Sequence, residues 1–289
     1  MKYFLLIAVL AFALASLGSD EPTAAAQQGA QASSQAAAAA PQSPPANLGN
    51  DQENARQARA LLAQAIQALG GQAYLNIHDV EQQGRTFSFF HGNSTSNGVL
   101  FWRFVEYPDK ERIEFTPQRD VTVVYNGDKG YEVTYKGPHA VENKDLVDYL
   151  RRRRLSLDII LRTWINDPSV ALFYDGTALA GNFAAQKVTL INSKDEAVSL
   201  FFDVDTHLPI KKSYTWRDPV DRFRNVEEEI FDNYRPTQGV MIPWGFTRYF
   251  NGDMQTERFL NGAHINQELD ESMFDPNSGY DPNKHIKKH

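Results

Sequence analysis

Seven histidines, a wealth of carboxylates and no cysteine define the chemistry open to this chain. Without cysteine, thiolate metal sites and thiol nucleophiles are excluded. The histidines, at positions 78, 91, 139, 207, 264, 285 and 289, are scattered over strand-like segments, turns and the tail. Only His285 and His289 share a helical spacing of four, and their Lys-rich surroundings offer neither a third ligand nor burial. No G-x-S-x-G elbow, phosphate-cradling glycine loop or H-E-x-x-H helix occurs. Asp203/Asp205 and Glu227/Glu229 are each two apart, which places each pair on one strand face and would suit general acid–base work. The solvent face of a sheet gives the same pattern more often, and that is the reading adopted. Asp275 to Asp281 sets oxygens at alternate positions, but its glycine is fifth and no Glu follows, so it reads as a polar turn rather than a calcium loop. The expectation is a protein that is not an enzyme, with no catalytic residue, metal or cofactor; a carboxylate hydrolase is the weakest alternative.

The sharpest charged feature is Arg151-Arg152-Arg153-Arg154. Four consecutive arginines wrap about a full helical turn. Two readings stay open: a solvated helix whose arginines pair with Asp148 and Asp158, or a docking patch for phosphate head groups or an acidic partner. The formal charge of −7 argues against nucleic acid as the main partner.

These residues need a scaffold, and the chain divides clearly. Residues 1–15 have a short positive start, an apolar run from Phe4 to Leu14 and Ala13-Leu14-Ala15, the marks of a cleaved signal peptide. The run is too short for a lasting membrane helix, which takes roughly 20 residues. A periplasmic product with no stable transmembrane segment is expected. Residues 16–50 are Ala, Gln, Ser, Gly and Pro, which can bury no face and read as a disordered linker. The folded domain is expected over 51–276, followed by a polar tail over 277–289.

Within the domain, Ala55, Ala58, Leu61, Leu62, Ala65, Ile66 and Leu69 recur at helical spacing before a Gly70-Gly71 stop. Strand-like segments follow at 80–91, 99–107, 112–116, 121–125 and 131–135. A helical block from Glu142 to Ile165 interrupts them and ends at Asp167-Pro168. Strands resume at 170–174, 185–191, 198–203, 210–216, 226–234, 240–250 and 255–265. Short turns between them force antiparallel neighbours. The fold class is α+β: one large curved antiparallel sheet with helices on one face. Alternation places Leu100, Trp102 and Phe104 on one sheet face with Arg103 opposite. A sheet of this size curls, and its concave face is either packed core or an apolar pocket.

Four stretches carry a family resemblance. The opening, Leu69-Gly-Gly71 to the Tyr107-Pro-Asp-Lys110 corner, resembles the LolA/LolB-like superfamily of periplasmic lipoprotein carriers. Phe202-Asp-Val-Asp-Thr-His-Leu-Pro-Ile210 and Phe231 to Pro243 resemble its D-x-x-T-x-L-P and Y-x-x-x-x-G-x-x-x-P segments. Ile265-Asn-Gln-Glu-Leu-Asp-Glu-Ser-Met-Phe274 resembles its ending. The resemblance implies an open half-barrel of about eleven strands whose helices cover the concave face. It further implies a carrier or chaperone that shields acyl chains without covalent chemistry, with an acylated lipoprotein or lipid as cargo and an envelope protein as partner. A sensor or scaffold on the same half-barrel is the alternative. The expected hydrophobic cavity is formed by Phe87, Phe89, Leu100, Trp102, Phe104, Tyr131, Val133, Leu157, Ile160, Leu161 and Trp164, with Arg151, Arg152, Arg153 and Arg154 as the docking patch.

Overall fold

In the computed structural model, residues 48–278 are described. The signal segment, nearly all of the linker and most of the tail, with His285 and His289, lie outside the described residues. Among the described residues, no helix is long and apolar enough to cross a membrane.

The chain opens with α1 (Leu48–Leu69) and the single turn α2 (Gln72–Leu75). Seven strands follow: β1 (Asp79–Phe90), β2 (Asn93–Ser94), β3 (Val99–Glu106), β4 (Lys110–Phe115), β5 (Val121–Asn126), β6 (Lys129–Thr134) and β7 (Gly137–Ala140). Next come α3 (Asn143–Arg154), α4 (Leu157–Arg162) and a 3-10 turn at Trp164–Asn166. The second run holds β8 (Ala171–Ala180), β9 (Phe183–Ile191), β10 (Ala197–Asp203), β11 (Pro209–Arg217), β12 (Arg224–Thr237), β13 (Val240–Phe250) and β14 (Asp253–Ile265), and a 3-10 turn at Glu271–Phe274 follows it. The expected helical block is split because Ser156 leaves the helix and caps α4, its hydroxyl accepting from the Ile159 amide.

All strands join one antiparallel sheet in the order β7-β6-β5-β4-β3-β1-β14-β13-β12-β11-β10-β9-β8, with β2 paired only to β1. Fourteen strands replace the expected eleven or so. Two of the added ones, β2 and β7, are short polar pieces with no apolar alternation to announce them. The outer strands β7 and β8 do not pair, so the sheet stays open. The segment joining those two edges contains α3 and α4, and this connectivity carries the helices across the concave face.

The core lies between that face and the helices. Ala58, Leu61, Leu62, Ala65, Ile66 and Leu69 of α1 are buried against Val188, Leu190, Val198, Leu200 and Phe202 of β9 and β10, among others. Each of the larger side chains among them contributes roughly 1.5–3 kcal/mol by leaving water. The helix ends where it meets the β12–β13 turn: a Cβ on Gly70, whose φ is +127°, would stand 2.6 Å from the Gly239 carbonyl oxygen.

The family-like motifs are structural joints. Asp203 Oδ1 accepts from the Asp205 and Thr206 amides and the Thr206 hydroxyl, tying the β10–β11 turn. Gln238 at the β12–β13 turn exchanges hydrogen bonds with the Ile265 backbone. Asp79 accepts from the Gln267 and Glu268 amides, fastening the exit from β14 to the start of β1.

Candidate functional site

A cavity of about 440 Å³ lies between the helices and the concave sheet face, a size usual for small-molecule sites. Its apolar end is built from Leu69, Ile77, Val80 and Val105 with Val240 and Ile242 of β13. The opposite region collects charge from β3, β4, α3 and β12 to β14.

Polar clamps hold the helices over this space. Asp158 of α4 accepts from the Tyr74 hydroxyl at 3.0 Å and the Tyr107 hydroxyl at 2.8 Å. Arg162 donates to the Ile77 and Tyr74 carbonyls and lies over the Tyr107 ring, 4.3 Å from its centroid. Burial, then the Asp158 charge, push both tyrosine hydroxyls well above their ordinary pKa, so they stay protonated donors. On α3, Tyr149 stacks on Tyr125 at 3.4 Å between ring centroids and donates to Glu111 Oε2 at 2.8 Å.

Glu111 is held on its other oxygen by Arg103, which also donates to Gln82. Burial alone would raise the Glu111 carboxyl, but the Arg103 guanidinium and the Tyr149 hydroxyl outweigh it and keep it below the ordinary value. Glu229 is likewise kept low against burial by Lys212, 2.9 Å away. Lys212 is fully buried and also donates to the Leu155 carbonyl at the end of α3. Glu227 pairs with Arg151 at 3.2 Å.

Glu227 and Glu229 therefore face the helices, each bound to a cation, and not the solvent as expected from their spacing. Asp203 is consumed by its turn, and Asp205 is exposed. Among the described residues no group of three or more His, Asp or Glu side chains could hold a metal ion.

The arginine run divides four ways. Arg151 pairs with Asp148 and Glu227 and lies 3.5 Å from the Trp216 ring centroid. Arg152 lines the cavity. Arg153 lines it too and donates to the Asp109 carbonyl at 2.9 Å. Arg154 pairs with Glu196 on a more exposed face. Asp158, expected as an arginine partner, binds the two tyrosines instead.

Of the expected cavity residues, only Leu157 lines this space. Ile160, Leu161 and Trp164 are buried in the main core beside it. The alternation of β3 is real, but its sense is reversed: Arg103 and Val105 face the cavity. Phe104 is buried on the other face with Leu269, Met273 and Phe274, and Trp102 packs against that cluster. Leu100 shares their strand parity and is only partly buried. Phe87 meets Phe259 edge-on, and Phe89 sits opposite Ser94. Tyr131 and Val133 of β6 are partly buried outside the cavity lining.

Missed by sequence reasoning were Arg103, Arg248 and Arg258, all lining the cavity. The available signal was phase: Arg248 is two residues from Phe246, and Arg258 two from Leu260, so each arginine shares a strand face with an apolar side chain.

No protein-family model matches the sequence, and no curated protein matches it. Solved structures do. A DUF1329 family protein from Desulfovibrio piger is similar at a TM-score of 0.53 and 12% identity, over 75% of this chain and 96% of that one. A domain described as an outer membrane lipoprotein-sorting protein from Vibrio parahaemolyticus gives 0.51 and 10%, over 78% and 98%. A LolA superfamily protein from Nitrosomonas europaea is also similar, at 0.46 and 11%, over 75% and 96%. The first two share the fold of this chain.

Proposed function

We propose that this chain is a carrier that holds the acyl chains of a lipid or lipoprotein in the cell envelope. One observation carries the reading: the concave face keeps a cavity of about 440 Å³ with a continuous apolar end, beneath helices pinned by polar clamps. A partly open hollow of this size with an apolar end is suited to a small-molecule occupant. The sheet-and-helix architecture shared with the lipoprotein-sorting domain supports this choice of cargo, and a signal peptide would place the protein in the envelope.

The test is equilibrium binding of a neutral fluorescent acyl probe, with native mass spectrometry of protein purified from its own envelope. Saturable binding and co-purifying lipid mass are expected. Ile113→Trp, which fills the cavity from β4, should weaken probe binding while the protein still melts cooperatively. Trp102→Ala, on the other face, should not. Probe binding that survives Ile113→Trp in a folded protein removes this cavity as the site.

A further inference from the structure

Three guanidinium groups reach this cavity without a direct ion pair, although Glu111, Glu227 and Glu229 lie within electrostatic reach of Arg248 or Arg258. Arg152 of α3, Arg248 of β13 and Arg258 of β14 all line it, and among the described residues none of their side chains makes an ion pair or hydrogen bond. The nearby carboxylates are already engaged: Glu111 by Arg103, Glu227 by Arg151 and Glu229 by Lys212. Glu229 sits directly opposite Arg248 in the β12–β13 register, yet its carboxylate is turned to Lys212. Arg258 has only an aromatic face for company, the Phe246 ring with its centroid 5.0 Å away. Burial, then the neighbouring Arg103 charge, lower the Arg258 guanidinium to about 10. Burial, then Arg152, lower Arg248 as well. Both stay charged at neutral pH. All three arginines are partly buried, and a cation drawn out of water with no direct partner is costly.

The arrangement is also polar along its length. From Ile242 to Arg248 the same strand runs roughly 20 Å, from the apolar end of the cavity to the arginines. We infer that the cavity takes a single-chain amphiphile whose anionic head, a carboxylate or phosphate, is held inside against Arg152, Arg248 and Arg258 while its tail lies toward Ile242. Guanidinium groups match both anions in geometry and charge. This rests on the acyl-carrier reading and deepens it by fixing the class of head group and the orientation in which the ligand lies.

The experiment compares dodecanoate, 1-dodecanol and inorganic phosphate as competitors of the neutral acyl probe on the full chain. Dodecanoate is expected to bind about tenfold or more tightly than dodecanol, and phosphate alone to displace nothing at those concentrations. Arg258→Met and Arg248→Met should bring the two ligands within about twofold of each other by lowering dodecanoate affinity alone, with Arg258→Lys retaining part of the preference. Should a methionine variant fail to fold, Arg152→Ser on α3 reads the same preference without touching a strand. Equal affinity for dodecanoate and dodecanol in the unaltered protein overturns the head-group inference and leaves the acyl carrier standing. Failure of both to bind overturns the carrier reading and this inference with it. Displacement by phosphate as effective as that by dodecanoate would make the arginines a free-anion site and overturn the amphiphile assignment.

Discussion

The two faces of strands β3 to β5 both bury arginine and glutamate, yet they treat them differently. On the convex face, Arg112 and Arg119 each bind an oxygen of the fully buried Glu114, and Arg112 also donates to the Met273 carbonyl. Arg119 lies over the Trp102 ring, and Phe104, Met273 and Phe274 close over the group. On the concave face, Arg103 and Glu111 are paired in the same manner, but Arg248, Arg258 and Arg152 nearby are not. A network closed on itself under the C-terminal segment fixes structure. One with cations lacking direct partners around an open space is what the proposed anionic amphiphile would complete.

Breaking the convex network should have the largest effect on stability. Glu114→Ala takes the shared carboxylate from the buried Arg112 and the partly buried Arg119 and should cost about 3–5 kcal/mol, measured by urea unfolding, while the preference between dodecanoate and dodecanol in the folded fraction is unchanged. A smaller loss together with lost ligand preference would show that the two faces are coupled.

Acid tests the concave side. Glu111 and Glu229 have folded pKa values below the ordinary carboxylate value. Their stabilisation is therefore complete above the unfolded value of roughly 4.3 and is lost as pH falls through the folded values. The melting temperature should be level from about pH 7 to 5 and fall below about 4.5. Glu229→Gln should shallow that fall, and an unaltered slope would count against the ion pair with Lys212.

Arg258→Met should move stability in the other direction. Removing a partly buried cation with no direct ion pair is expected to raise stability by up to about 1 kcal/mol, seen as a higher melting temperature in the absence of ligand. A clear loss would mean that Arg258 is a structural member of the wall.

The arginine run itself should divide by burial. Arg154, the most exposed of the four, should cost ~0–1 kcal/mol on change to Ser. Arg151→Ser should cost about 2 kcal/mol, because it strips Glu227 of its ion pair and Trp216 of its cation. Equal losses at both positions would erase the distinction that their burial draws.

Several features were legible in the sequence because they are local. The α1 stripe announces its period, Gly70 stops the helix, and the Asp203–Thr206 and Gln238-Gly239 turns carry their own hydrogen-bond chemistry. Antiparallel pairing follows from connections too short for a crossover. The sense of β3 was not legible. Its two faces, Leu100-Trp102-Phe104 and Phe101-Val105, are both apolar, and a period of two separates faces without saying which one looks toward the helices. That was decided when the β7–β8 connection carried α3 and α4 across one side and the chain after β14 covered the other. Phase put Arg248 and Arg258 on a face with apolar side chains, but it could not tell which of them, or of Glu227 and Glu229, would find a partner there. Their ion pairs, or the absence of them, depend on residues brought together from β3, β4, α3 and β11 to β14, and only the closed tertiary structure sets those distances.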